Sequence, residues 1–122
     1  MLAPHPGLRF WLCTLPTDMR KSFDGLAALV STRLRFDPAD GQVFIFINRK
    51  RTLMKCLYFE EGGFCLWCKR LEQGQFASLS STTDDTDRDV GKMCLTQTEF
   101  SALVEGFELV IKKRHKRYRN MP

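Results

Sequence analysis

The chain has 122 residues, which suits one domain of roughly 100–150 residues and leaves no room for a second. Hydrophobic residues make up 43% and include ten Phe, enough for a real core, so disorder throughout is excluded. The formal charge of +5 leans toward anionic partners without deciding anything.

That charge is unevenly placed. Residues 1–79 carry 11 Lys and Arg against 7 Asp and Glu; residues 80–111 carry 2 against 7; residues 112–122 carry 6 and no acid. A mildly basic body, an acidic stretch and a strongly basic tail result. No run of 18 apolar residues exists, and no membrane partner is expected. Met1–Gly7 lacks the basic and apolar regions of a secretory signal. Five scattered cysteines are not a disulfide framework, so the expected location is cytoplasmic, with reduced thiols.

Leu8–Thr14 is a short run of strand formers ended by Pro16, and it predicts the first strand. Thr17-Asp18 offers a helix N-cap, with Ser22 as a later start. Phe23, Leu26, Ala27, Val30 and Leu34 then mark one helical face. Gly25 inside this pattern costs about 1 kcal/mol against Ala, or marks close packing. Asp37-Pro38 and Asp40-Gly41 end the helix.

Val43–Ile47 (VFIFI) is apolar on both faces, as a central strand is. The polar link Asn48–Thr52 leads into Leu53–Phe59, and Glu60-Glu61-Gly62-Gly63 turns into Phe64–Leu71. Short links between apolar runs predict an antiparallel meander, with the basic link at one end and the acidic turn at the other. Residues 77–92 are rich in Ser, Thr and Asp and read as an exposed acidic loop. Thr96-Gln97-Thr98-Glu99 fits a capping box. Phe100, Leu103, Val104 and Phe107 then predict a second helix to about Ile111.

The expected fold class is α+β: a single domain, with an antiparallel three- to four-stranded sheet and two helices on one face. The order is strand, helix, three strands, helix. The domain is placed at 1–111 and a flexible basic tail at 112–122.

Catalytic signatures are missing. Cys65 and Cys68 lie three apart on a strand, so their thiols point to opposite faces and suit buried sheet cysteines better than zinc or redox chemistry. His5 and His115 sit near the two ends. Asp84, Asp85, Asp87 and Asp89 fall in the acidic loop and read as solvated carboxylates rather than magnesium ligands. No phosphate-binding glycine loop, zinc-protease helix or nucleophile elbow is present. The expectation is therefore no enzyme, no cofactor, no metal and no small-molecule substrate.

The basic clusters are the candidates. Arg20 and Lys21 sit at the start of the first helix, where cations oppose the helix dipole unless an anion lies beside them. Arg49, Lys50 and Arg51 form a cationic tip, and Lys69 and Arg70 close a strand. Lys112, Lys113, Arg114, Lys116, Arg117 and Arg119 crowd the tail. Such cations bind phosphate by counterion release, without reading bases. Each cluster equally suits an ordinary solvated surface.

Three motifs carry a family resemblance: DMRKSFDGL at 18–26, FDPADG at 36–41 leading into VFIFINRKR, and GFCLW at 63–67 followed by KRLEQGQF at 69–76. In this order and spacing the chain resembles the small accessory protein of the IS-sixty-six type of bacterial insertion sequences, commonly called TnpB. The likeness spans about residues 7–107. It implies a bacterial mobile-element protein, encoded beside a separate transposase and supporting transposition. It supplies no catalytic residues. The chain departs from the family pattern at Ala77-Ser78, where many members have Trp-Pro. It departs also at Cys68, where a larger residue is common, and in its longer acidic loop.

Two functions stay open. One is an accessory subunit that contacts DNA non-specifically within a transposase complex. The other is an adaptor that binds the co-encoded transposase or its sister accessory protein through the sheet face or through Phe100 and Phe107, without touching DNA.

Overall fold

The computed structural model describes residues 5–78 and 91–106. Five strands, β1 (Phe10–Cys13), β2 (Val43–Ile47), β3 (Leu53–Glu60), β4 (Gly63–Arg70) and β5 (Lys92–Leu95), form one sheet in the order β4-β3-β2-β1-β5. Two helices complete the α+β domain: α1 (Phe23–Leu29), which continues as a π-helical stretch over Val30–Leu34, and α2 (Gln97–Glu105).

The meander stands as expected. β2, β3 and β4 pair antiparallel, Phe44 against Leu57 and Tyr58 against Cys65. The turn between β3 and β4 places Glu61 and Gly62 at positive φ, 51° and 84°, as a two-residue hairpin requires.

Three expectations about the sheet need correction. It has five strands, because Lys92–Leu95 pairs antiparallel with β1. It is not wholly antiparallel, because β1 and β2 run parallel, Phe10 beside Val43. A helix carries the chain from the end of β1 back to the start of β2, and such a crossover yields parallel neighbours. The helices also lie on opposite faces. Leu26, Val30 and Leu34 of the first helical segment pack with Phe44, Phe46 and Leu57. Leu103 of α2 packs with Phe10, Val43, Ile45 and Cys56 on the other face. β2 lies between the two layers, and all five of its residues are buried.

The first helix starts at Phe23, the later of the two expected starts, with Ser22 as its N-cap residue. The second helix starts as expected: Thr96 Oγ1 accepts from Glu99 N (3.0 Å), and Thr96 N donates to Glu99 Oε1 (2.9 Å). It ends at Glu105 rather than near Ile111, because Gly106 takes a left-handed conformation (φ 84°) and caps it. Phe107, the acidic stretch 79–90 and the tail 112–122 lie outside the described residues.

Candidate nucleic-acid interface

The link Asn48–Thr52 is a built turn. The Asn48 side-chain carbonyl accepts from Thr52 N (2.8 Å) and Leu53 N (3.0 Å), and its amide donates to Thr52 Oγ1 (3.2 Å). Arg51 N donates to the Asn48 carbonyl (3.0 Å), with Arg51 itself left-handed at φ 59°. A short polar side chain folded onto its own backbone in this way fixes a tight turn.

A second segment clamps the turn from outside. After β4 the chain doubles back. Gln75 Nε2 donates to the Lys50 carbonyl (3.0 Å), and Phe76 N donates to the Arg51 carbonyl (2.7 Å). The Phe76 ring is fully buried and anchors this return. Arg51 Nη2 adds a bond to Gln75 Oε1 at 3.4 Å. The KRLEQGQF motif therefore holds the NRKR motif in shape. Arg49 and Lys50 stand exposed on the turn, and Arg51 is half-buried. Sequence reasoning missed the roles of Asn48 and Gln75. An Asn at the first position of a charged turn was the available signal.

The DMRKSFDGL motif reaches the same end of the sheet. Thr17 N donates to the carbonyl of Ile47, the last residue of β2 (3.0 Å). Lys55, from the α1 face of β3, donates to the carbonyls of Met19 and Lys21, both at 2.8 Å. Asp18 Oδ1 accepts from Arg20 N (2.9 Å), and Arg20 Nη2 meets Asp18 Oδ2 at 2.7 Å. The Arg20 guanidinium thereby holds the Asp18 carboxyl well below the usual carboxylate range, and the same bond raises the Arg20 pKa. Gly25 is needed for close packing: a Cβ there would stand 3.1 Å from Lys21 Cβ.

The sequence-predicted cations thus divide. Arg20, Lys21, Arg49, Lys50, Arg51 and Arg70 gather at one end of the sheet, where β2 ends, β3 begins and β4 ends. Arg20 is paired with Asp18 and Arg70 with Glu72 (3.0 Å). Among the described residues, Lys21, Arg49, Lys50 and Arg51 form no ion pair. Lys69 belongs to the same end, but its ammonium turns onto the α2 face and donates to the Val104 carbonyl (2.7 Å). Lys112, Lys113, Arg114, Lys116, Arg117 and Arg119 lie outside the described residues.

Beside the tip lies a notch of about 220 Å³. Thr14, Leu15 and Pro16 after β1, Asn48, Arg49 and Arg51 after β2, and Ser78 line it. It opens at the carboxyl ends of the two parallel strands, the customary place for a ligand in a parallel sheet. Its hydroxyls and guanidinium groups suit an oxyanion. An apolar groove of about 200 Å³ lies on the α2 face among Leu8, Tyr58, Trp67 and Phe100. Phe100 is not a free anchor for a partner, because its ring stacks on Phe10 at 4.4 Å.

Cys65 and Cys68 face opposite sides, as the strand period requires; Cys65 packs against the α2-side core. Neither is fully buried, in contrast to expectation, because β4 is an edge strand.

A family model described as IS66 Orf2 like protein matches residues 8–114. The chain belongs to this family. The match runs past the span of the motifs and takes in Lys112, Lys113 and Arg114 of the basic tail. Two proteins of Sinorhizobium fredii are similar along nearly their whole length. The uncharacterized protein y4jC is 34% identical over 114 residues, covering 93% of this chain and 92% of its own. The uncharacterized protein y4hO is 32% identical over 108 residues, covering 88% of each. No solved structure matches. The IS66 Orf2-like family is one of insertion-sequence accessory proteins, so the chain has its place beside an IS66-type transposase. No helix among the described residues is long and apolar enough to cross a membrane.

Proposed function

We propose that this IS66 Orf2-like protein is a non-catalytic, cytoplasmic accessory subunit that holds DNA by its phosphates within the transposition complex. Arg49, Lys50 and Arg51, with Lys21 beside them, form the contact; Arg20 and Arg70 join by exchanging their exposed carboxylate partners for phosphate. The basic tail from Lys112 to Arg119 adds charge to the same task. The observation that carries the reading is the rigid, doubly clamped turn that presents unpaired cations at one end of the sheet. Pre-ordering such cations spares part of the entropy that mobile side chains lose on binding. The Arg49–Arg51 notch takes one phosphate, and no element enters a groove to read bases.

Fluorescence anisotropy against the element's terminal repeats and against random duplex tests this. Equal affinities that fall steeply with salt are expected. A strong preference for the terminal repeats would refute phosphate-only contact, and no binding at low salt would refute DNA contact altogether.

A further inference from the structure

The sheet is unfinished at β4, which pairs with β3 on one side and ends the strand order on the other. Leu71 N donates to the Thr52 carbonyl (2.8 Å), which fixes the phase of the ladder. Odd-numbered residues of β4 bond to β3, so the N–H and C=O groups of Phe64, Leu66, Cys68 and Arg70 point outward. Natural sheets blunt such an edge with a proline, a bulge, a short strand or a mid-strand charge. β4 uses none of these. Its register runs unbroken through eight pairs, and Gly63–Cys68 holds neither proline nor charge. Lys69, which could guard the edge, is drawn away to the Val104 carbonyl.

The two ends of this edge carry opposite charge. Glu60 and Glu61 form the turn at one end; Lys69 and Arg70 close the other. A strand of that kind complements a copy of itself laid antiparallel, and repels one laid parallel.

We propose that β4 is the seam of a homodimer, in which two copies pair antiparallel through β4 and join their sheets into one of ten strands. A two-fold axis at Leu66 sets the outward groups of Phe64 against those of Cys68 of the second copy. It brings Arg70 opposite Gly62 and next to Glu61 of that copy. Arg70 reaches Glu61 by releasing its exposed partner Glu72. Exposed Phe64 and Cys68 become covered across the seam.

Sedimentation equilibrium of the full chain over a concentration series tests the seam. A reversible dimer is expected. Cys68→Pro removes one outward N–H without touching a bond to β3, and it should weaken the dimer at least tenfold. Arg70→Glu, which leaves the strand intact, should weaken it roughly tenfold, and Glu61→Arg in the same chain should restore it to within about threefold. Thermal melts check that each variant is folded. A monomer at every concentration overturns the proposal. So does a dimer indifferent to Cys68→Pro, or a charge reversal that Glu61→Arg does not rescue.

Discussion

The ammonium of Lys69 donates to the main-chain carbonyl of Val104 at 2.7 Å, in the last turn of α2. A cation there satisfies a carbonyl near the helix terminus and favours the negative end of the helix dipole. Lys69 thus ties the edge strand to the helix across the α2 face. Lys69→Met keeps the apolar stem and removes the charge. It should cost about 1–2 kcal/mol of stability, read by urea unfolding, from a hydrogen bond to a charged group plus the dipole term. DNA affinity should change far less than on removal of Arg49. A large drop in binding with intact stability would return Lys69 to the DNA-contacting set.

Asn48 is the keystone of the basic tip. Asn48→Ala leaves the Thr52 and Leu53 amides without their partner and should cost about 1–3 kcal/mol. The cations stay in place chemically, so weakened DNA binding in this variant would report the value of their order. Anisotropy and urea melts of the same preparation separate the two effects. Unchanged affinity with a looser turn would mean that order of the tip contributes nothing.

Asp18 and Arg20 predict a pH dependence with a definite sign. The carboxyl lies lower in the folded chain than its unfolded value near 4, so the pair contributes above that pH. The contribution fades as the pH falls below about 4 toward the folded value. Both groups are solvent-exposed, so the effect is small and screened by salt. The urea midpoint of wild type should exceed that of Asp18→Asn at neutral pH, and the gap should close in acid. A gap that widens in acid would contradict the pairing.

Much of this fold could be read from the residues alone. VFIFI, the Glu-Glu-Gly-Gly turn and the Thr96–Glu99 box act locally, through periodicity, turn chemistry and capping. β5 could not be read, because Lys92–Leu95 is only four residues long and is specified by its distant partner β1. The opposite placement of the helices was hidden in plain view. A strand buried on both faces requires a layer on each, and VFIFI met that condition. At the candidate interface the cations were visible as composition. The clamp from Gln75 and the diversion of Lys69 depend on contacts between distant segments, which no local pattern encodes.

Thiol reactivity checks the layering directly. Cys13 and Cys56 are buried, and burial pushes the Cys56 thiol up, away from the reactive thiolate. Cys68 and Cys94 are exposed. An aromatic disulfide reagent at neutral pH should label Cys68 and Cys94 quickly in the native chain. Cys13 and Cys56 should react only on unfolding. Fast native labelling of Cys56 would contradict the placement of β3 in the core.

The claim that the basic tip grips DNA phosphates is tested most directly by the salt dependence of binding to random duplex. Wild type is compared with the Arg49→Ala, Lys50→Ala, Arg51→Ala triple variant. Removing one phosphate-binding cation flattens the slope of log K against log salt by about 0.9, so a decrease of roughly 2–3 is expected for the three together. A weaker intercept with an unchanged slope, or no change at all, would contradict phosphate contact at the tip and take the turn out of the DNA interface.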